Sequence, residues 1–189
     1  MANETLEILK LLISNKEEKF SIRKISLLRK INYKSAYINL KFLGKQGIVN
    51  LQKIGNTVLC TFNNNFNDLV FKAEYSRKQD LFKNKNFLII NNSLSELRFS
   101  LIALLFGSHA KGNASDKSDI DLMIISEKKN EKNIENLLST FPLNIHLIFF
   151  SYEEFLQMKN SKEPSVVSEA LKNNIILINI EDYYRLLKC

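Results

Sequence analysis

The sequence predicts an α/β fold of mixed α+β character in two parts: helices closed by a hairpin, then a domain whose mixed β-sheet is flanked by helices. Three observations carry this. Apolar residues recur at helical spacing over 5–46. Two β-rich runs, 48–54 and 57–62, flank the turn pair Gly55-Asn56. Beyond residue 100, four strand-like runs are interleaved with helical stretches.

The elements follow in order. Leu6, Leu9 and Ile13 set a helix over 5–14. Ser21 suits the cap of a second helix over 22–31, with Ile22, Ile25 and Leu28 or Leu27 expected on its inner face. After a turn at Asn32, a third helix runs over 33–46 and stops at Gly47, the residue best able to take a left-handed C-terminal cap. The hairpin completes a first domain over 1–62. Residues 63–86 read as a linker and connecting helix, with helical material over 68–83 and 87–99. The second domain, 87–189, has strand-like runs at 101–106, 119–125, 145–150 and 175–179, and helical stretches at 152–158, 164–172 and 181–187.

Composition narrows the class. With 45% hydrophobic and 25% charged residues but only 5 Gly and 2 Pro, the chain has the makeup of a folded protein rather than a low-complexity one. No apolar run reaches bilayer-spanning length, and Met1-Ala2-Asn3-Glu4 lacks the order of a signal peptide, so a cytoplasmic location and no membrane partner are expected. Cys60 and Cys189 are too few for a disulfide framework or a structural zinc site and read as reduced, inert thiols.

The net charge of +7 is unevenly placed. Residues 1–62 hold 11 Lys/Arg against 4 Asp/Glu, whereas residues 63–189 hold 16 of each. A basic domain beside a neutral one points to a polyanion partner for the first, with a lysine-rich solvated surface as the plain alternative. On a helical wheel the third helix places Ala36, Leu40 and Leu43 on one face and Lys34, Ile38, Lys41 and Lys45 on the other. The order of three helices and a hairpin over residues 4–62, with the passage Leu43-Gly44-Lys45-Gln46-Gly47-Ile48-Val49, resembles the winged helix-turn-helix family. That resemblance implies duplex DNA near Lys34, Ile38, Lys41 and Lys45 and near Lys53 and Asn56 on the wing. Such domains also dock proteins, so a protein partner or a homodimer stays open.

The densest chemical signal lies at Leu105-Phe106-Gly107-Ser108-His109-Ala110-Lys111, followed by Asp119-Ile120-Asp121-Leu122. An apolar strand ends in Gly-Ser, and ten residues later Asp-x-Asp opens a second strand. Side chains alternate along a strand, so Asp119 and Asp121 project from one face. Two adjacent carboxylates repel each other unless a cation neutralises them, and Mg²⁺ suits a pair that shares it with substrate phosphates. Gly107 allows close backbone approach to a phosphate, the Ser108 amide and hydroxyl can donate to its oxygens, and Lys111 can add a point charge. His109 reads equally as phosphate-proximal or as a surface residue. A plain turn followed by a solvated strand end is the alternative reading of the whole motif.

The segment 107–121 resembles the signature of the DNA polymerase β-like nucleotidyltransferases, and residues 87–189 resemble their minimal, single-domain members. The resemblance implies that Gly107 and Ser108 bind the NTP triphosphate and that Asp119 and Asp121 bind catalytic Mg²⁺. The run His146 to Phe155 is similar to the strand-to-helix passage of proteins that join a winged helix to such a domain. One departure stands out. The family's third carboxylate, on the later strand, is absent; that face offers Asn144, His146 and Ile148, with His146 at the aligned position. Neutral histidine can accept a proton and ligates Mn²⁺ better than Mg²⁺, but it brings no charge for a second metal. Glu153 and Glu154 read as helix-start residues favoured by the dipole.

Two functions follow as expectations. In the first, the chain is a nucleotidyltransferase that moves a nucleotidyl group from NTP to an acceptor, with Asp119, Asp121 and His146 catalytic. In the second, it is a DNA-binding regulator whose nucleotidyltransferase-like domain only senses nucleotide; an antitoxin-like partner role follows from the resemblance alone.

Overall fold

The computed structural model describes residues 2–115, 118–161 and 163–188. The chain divides into two compact units, Met1–Ser76 and Arg77–Cys189. The division falls within one helix, Asp68–Leu81.

The first unit runs α1 (Ala2–Ser14), β1 (Phe20–Ser21), α2 (Ile22–Arg29), α3 (Tyr33–Lys45), β2 (Val49–Ile54) and β3 (Thr57–Phe62). Ser21 caps α2 by accepting the Lys24 amide at 3.1 Å, and Asn32 caps α3 by accepting the Lys34 amide at 2.8 Å. Gly47 takes φ +68° after α3, and the Ile48 amide reaches back to the Leu43 carbonyl at 3.1 Å. This closes α3 and aims the chain into β2. The hairpin β2–β3 is antiparallel, and β1 pairs with β3 to give the order β1-β3-β2. A two-residue strand such as β1 is defined by its partners Cys60 and Leu59 and leaves no periodic trace in the sequence.

One expectation about α2 is corrected. Ile22 and Ile25 are buried, but the third inner position belongs to Ser26, while Leu27 and Leu28 are 69% and 51% exposed. Helical geometry explains this: Ser26 follows Ile22 by four residues and shares its face, whereas Leu27 and Leu28 have rotated away. Ser26 satisfies its hydroxyl on the Arg23 carbonyl at 2.9 Å. A polar residue is likewise buried in α3, where Asn39 accepts from Thr5 of α1 and donates to the Ser35 carbonyl at 2.9 Å. The free thiol of Cys60 is buried, and burial pushes its pKa up to about 11, so it stays protonated near neutrality. Cys189 lies outside the described residues.

The helix Asp68–Leu81 is α4 and α5 is Lys85–Ser95. The second unit then runs β4 (Leu101–Leu105), α6 (Gly107–Lys111), β5 (Ile120–Ser126), α7 (Glu131–Leu138), β6 (Ile145–Phe150), α8 (Tyr152–Asn160), α9 (Val166–Lys172), β7 (Ile175–Ile178) and α10 (Ile180–Lys188). Its sheet has the order β6-β5-β4-β7 and is mixed: β4 pairs antiparallel with β5 and β7, and β5 pairs parallel with β6. Strand alternation sorts the side chains onto two faces. Leu101, Ala103 and Leu105 of β4 and Ile120, Leu122 and Ile124 of β5 join Phe87, Ile90 and Leu94 of α5 and Ile134 and Leu138 of α7 in one core. The opposite parity, which includes Asp121, Met123 and Ile125, faces the side where α8 and α10 pack. Among the described residues no helix is long and apolar enough to cross a membrane.

The burial pattern of α2 generates a stability prediction. Ile25→Ala should destabilise the first unit by about 2–5 kcal/mol, because it opens a cavity at a fully buried position. Leu28→Ala should fall within about 0.5 kcal/mol of the parent. Urea unfolding of both variants checks this, and equal losses would mean that the face of α2 is misassigned.

Candidate functional site

The site forms at one end of the second sheet, where β4 leaves it and β5 and β6 enter it. The Phe106 amide donates to the Asp121 carbonyl at 3.1 Å, so the chain crosses beside Asp121 as it turns into α6. Gly107 follows with φ +68°, a conformation that disfavours any side chain. A Cβ built on it would overlap Oδ2 of Asp121. Glycine is required here twice over, by the backbone and by the carboxylate against it.

Parallel pairing of β5 with β6 supplies the other wall. Asp121 lies in register with His146, whose Nδ1 is 3.2 Å from Asp121 Oδ1. Asp119, exposed just before β5, accepts from the side-chain amide of Asn144, and the Ile120 amide donates to the Asn144 carbonyl at 2.9 Å. Two carboxylates two residues apart therefore meet two nitrogen-bearing side chains with the same spacing on the neighbouring strand. Each carboxylate has Oδ1 engaged, and among the described residues no hydrogen bond reaches Oδ2 of either. With Nδ1 of His146 on Asp121, its other ring nitrogen, Nε2, makes no hydrogen bond among the described residues.

This donor set fits one hard cation held by carboxylates and completed by substrate phosphates. It does not form a closed protein cage: among the described residues no three His, Cys, Asp or Glu side chains gather into a metal-holding cluster. Mg²⁺ would find its protein oxygens on Asp119 and Asp121, and the imidazole at the third position offers nitrogen, which suits Mn²⁺ better.

The remaining residues of the motif are placed as follows. Ser108 is half-buried in the first turn of α6. Lys111 is exposed and pairs with Glu169 of α9 at 2.8 Å, so its charge is partly matched within the protein. His109 is tied down, with Nε2 3.2 Å from the Ser118 carbonyl and its ring edge-on to Phe87 at 5.3 Å. His109, Ser118 and Asn144 line a cavity of about 470 Å³ that the sequence pattern does not reveal. Its walls come from segments far apart in the chain. Glu154 takes no part in the carboxylate group: it forms a capping box with Ser151 and pairs with Lys128 at 2.6 Å. The bond from Lys128, aided by the Ser151 amide and hydroxyl, holds its carboxyl at about 2.

In the first unit, Lys34, Ile38, Lys41 and Lys45 are all exposed on α3, opposite buried Ala36, Leu40 and Leu43. Lys53 and Asn56 are exposed at the hairpin end. Lys41 sits over the Tyr37 ring at 5.7 Å. The wheel reading of this helix passes over its aromatic side chains, although the i, i+4 spacing of Tyr33, Tyr37 and Lys41 is plain in the sequence.

In comparison with known families, the family described as Polymerase beta, Nucleotidyltransferase matches residues 88–183. Comparison with curated proteins and with solved structures gives no match.

Gly107→Ala should cost about 1–3 kcal/mol from backbone strain alone, with a further displacement of the Asp121 carboxylate. Thermal unfolding and the His146 ring resonances, which report on the Asp121 hydrogen bond, check this. An unchanged melting temperature and unchanged His146 resonances would contradict the contact.

Proposed function

Because the chain belongs to the polymerase β nucleotidyltransferase family, we propose that its second unit transfers a nucleotidyl group from an NTP to an acceptor hydroxyl, and that residues 1–62 bind duplex DNA. In the reaction the acceptor oxygen attacks the α-phosphorus, the bond from that phosphorus to the bridging oxygen breaks, and pyrophosphate leaves. The observation that carries this reading is the group formed by Gly107, Asp121 and His146, two of them in register across β5 and β6 and the third against the carboxylate.

The residues divide the work. Asp119 and Asp121 hold Mg²⁺ with their carboxylate oxygens, and Mg²⁺, when bound, supplies Lewis-acid polarisation of the α-phosphate and charge for the leaving oxygens. Gly107 and Ser108 bind the outer phosphates through backbone amides and the hydroxyl. Asn144 orients Asp119, and His146 both orients Asp121 through Nδ1 and offers Nε2 to the acceptor proton. Lys111 reaches phosphate on leaving Glu169.

A second reading rests on a specific observation. His146 is the residue that the sequence resemblance aligns with the family's third carboxylate, and an imidazole there, beside Asp121, favours a domain that binds NTP and metal as a sensor, coupled to DNA occupancy by the first unit. His146 separates the two. For a transferase, His146→Ala should reduce transfer from labelled NTP by roughly 10²-fold or more while leaving NTP binding nearly intact. For a sensor, the parent transfers nothing, and His146→Asp raises Mg²⁺-dependent transfer by restoring the charge. In both readings NTP tightens Mg²⁺ or Mn²⁺ binding, and Asp119→Asn or Asp121→Asn abolishes that gain. Equal metal binding by the parent and both variants would overturn the site.

The DNA reading draws support from the charge of residues 1–62 and from an element order, three helices and a hairpin, like that of winged helices. Lysines that neutralise phosphates release counterions. Replacing Lys41 and Lys45 by Ala should reduce the slope of log K against log salt by roughly 1.8. An unchanged slope would place both lysines away from the backbone.

A further inference from the structure

The exposed face at the junction of α2 and α3 is unusual in what it carries and in what it lacks. Tyr33, Tyr37 and Ile38 of α3 are 54%, 40% and 49% exposed, and Leu27 of α2 is 69% exposed. Leu27 and Tyr33 line one open groove of about 570 Å³ together with Arg23 and with Asn56 of the hairpin turn. Scattered single apolar residues on a surface need no explanation, but three within the first two turns of α3, with Leu27 beside Tyr33 in the groove, do. Lys34, Lys41 and Lys45 run through the same face.

The exposed face of α3 has no Arg, Asn or Gln within Tyr33–Lys45: its one asparagine, Asn39, is buried and bonded to Thr5 and Ser35. Bidentate reading of adenine by an amide, or of guanine by a guanidinium, therefore has no exposed side chain to perform it on this helix, and the guanine-reading groups it does carry are the ammonium groups of Lys34, Lys41 and Lys45. What the helix offers near its start, where a recognition helix meets base edges, is an aliphatic side chain and two phenol rings beside lysines. In the major groove the apolar group displayed by a base pair is the thymine 5-methyl. Resting on the reading of residues 1–62 as a duplex-DNA binder, we propose that this face recognises thymine 5-methyl groups, with Ile38 and Tyr37 contacting the methyls and Lys34, Lys41 and Lys45 holding the phosphates. The chain then prefers A·T-rich duplex, although it exposes no adenine-reading amide on α3. Lys34, Lys41 and Lys45 on this face, within a net excess of 7 positive charges over residues 1–62, complement a polyanion better than an apolar protein partner.

The test removes the methyl and nothing else. Binding of the full chain is measured by fluorescence anisotropy at physiological ionic strength. The probes are a duplex of alternating A and T and the same duplex with deoxyuridine in place of thymidine. The proposal predicts roughly three- to tenfold weaker binding to the deoxyuridine duplex, because without the methyls Ile38 and Tyr37 bury less apolar surface. Ile38→Ala, at an exposed position, should narrow that difference, and the double variant Ile38→Ala/Tyr37→Ala should bind the two duplexes alike. Equal binding of both duplexes by the parent overturns the methyl reading and leaves DNA binding standing. An undiminished thymine preference in the Ile38→Ala/Tyr37→Ala double variant overturns the assignment to this face. Binding to neither duplex overturns the DNA reading itself.

Discussion

Gly107 lies against the Asp121 carboxylate at a distance where a Cβ would overlap Oδ2. That contact lets the turn from β4 into α6 come down on the end of β5, so the start of α6 and the Asp121 carboxylate share one small volume. The register of β5 with β6 fixes the third side of it, because Asp121 and His146 are paired residues of a parallel ladder. A slip of one residue in that ladder would turn His146 toward the α5 and α7 core and bring Ile145 or Leu147 to the carboxylate. The alternating apolar residues of β6 resist such a slip, since Ile145, Leu147 and Phe149 pack on that core.

The site is a local exception in a unit otherwise built for burial. Leu101 to Leu105 are fully covered, and β5 is buried from Leu122 to Ser126, so the strands are rigid supports. Only where they end do charged groups appear, Asp119 exposed and Asp121 half-exposed, each bonded to the neighbouring strand. Such support fixes each carboxylate from the neighbouring strand, through Asn144 and His146, and leaves Oδ2 of each without a hydrogen bond among the described residues. In the first unit the same logic operates on a helix: Ala36, Leu40 and Leu43 anchor α3 and leave its other side free to carry lysines and aromatic rings.

Much of this is legible in the residues. The four strands of the second sheet follow from apolar runs, and the Gly-Ser and Asp-x-Asp spacing marks the site without reference to the fold. Strand parity also places His146 on the carboxylate face. Helix α7 escapes a pattern reading because Glu131–Leu138 is mostly polar and turns only Ile134 and Leu138 inward. The inner face of α2 is misread when leucine is favoured over serine, although spacing alone selects Ser26. The contacts of Gly107 with Asp121, Asn144 with Asp119 and Lys111 with Glu169 join residues 14 to 58 positions apart, and no local pattern encodes them.

The central claim is that Asp119, Asp121 and His146 border one metal and triphosphate site. The chain has only 2 histidines, so their ring C–H resonances can be assigned by substitution. The most direct measurement is paramagnetic broadening of those resonances by substoichiometric Mn²⁺, with and without NTP. The account predicts strong NTP-dependent broadening of His146 in the parent and its loss in Asp121→Asn. Sharp His146 signals in the presence of Mn²⁺ and every NTP would contradict it.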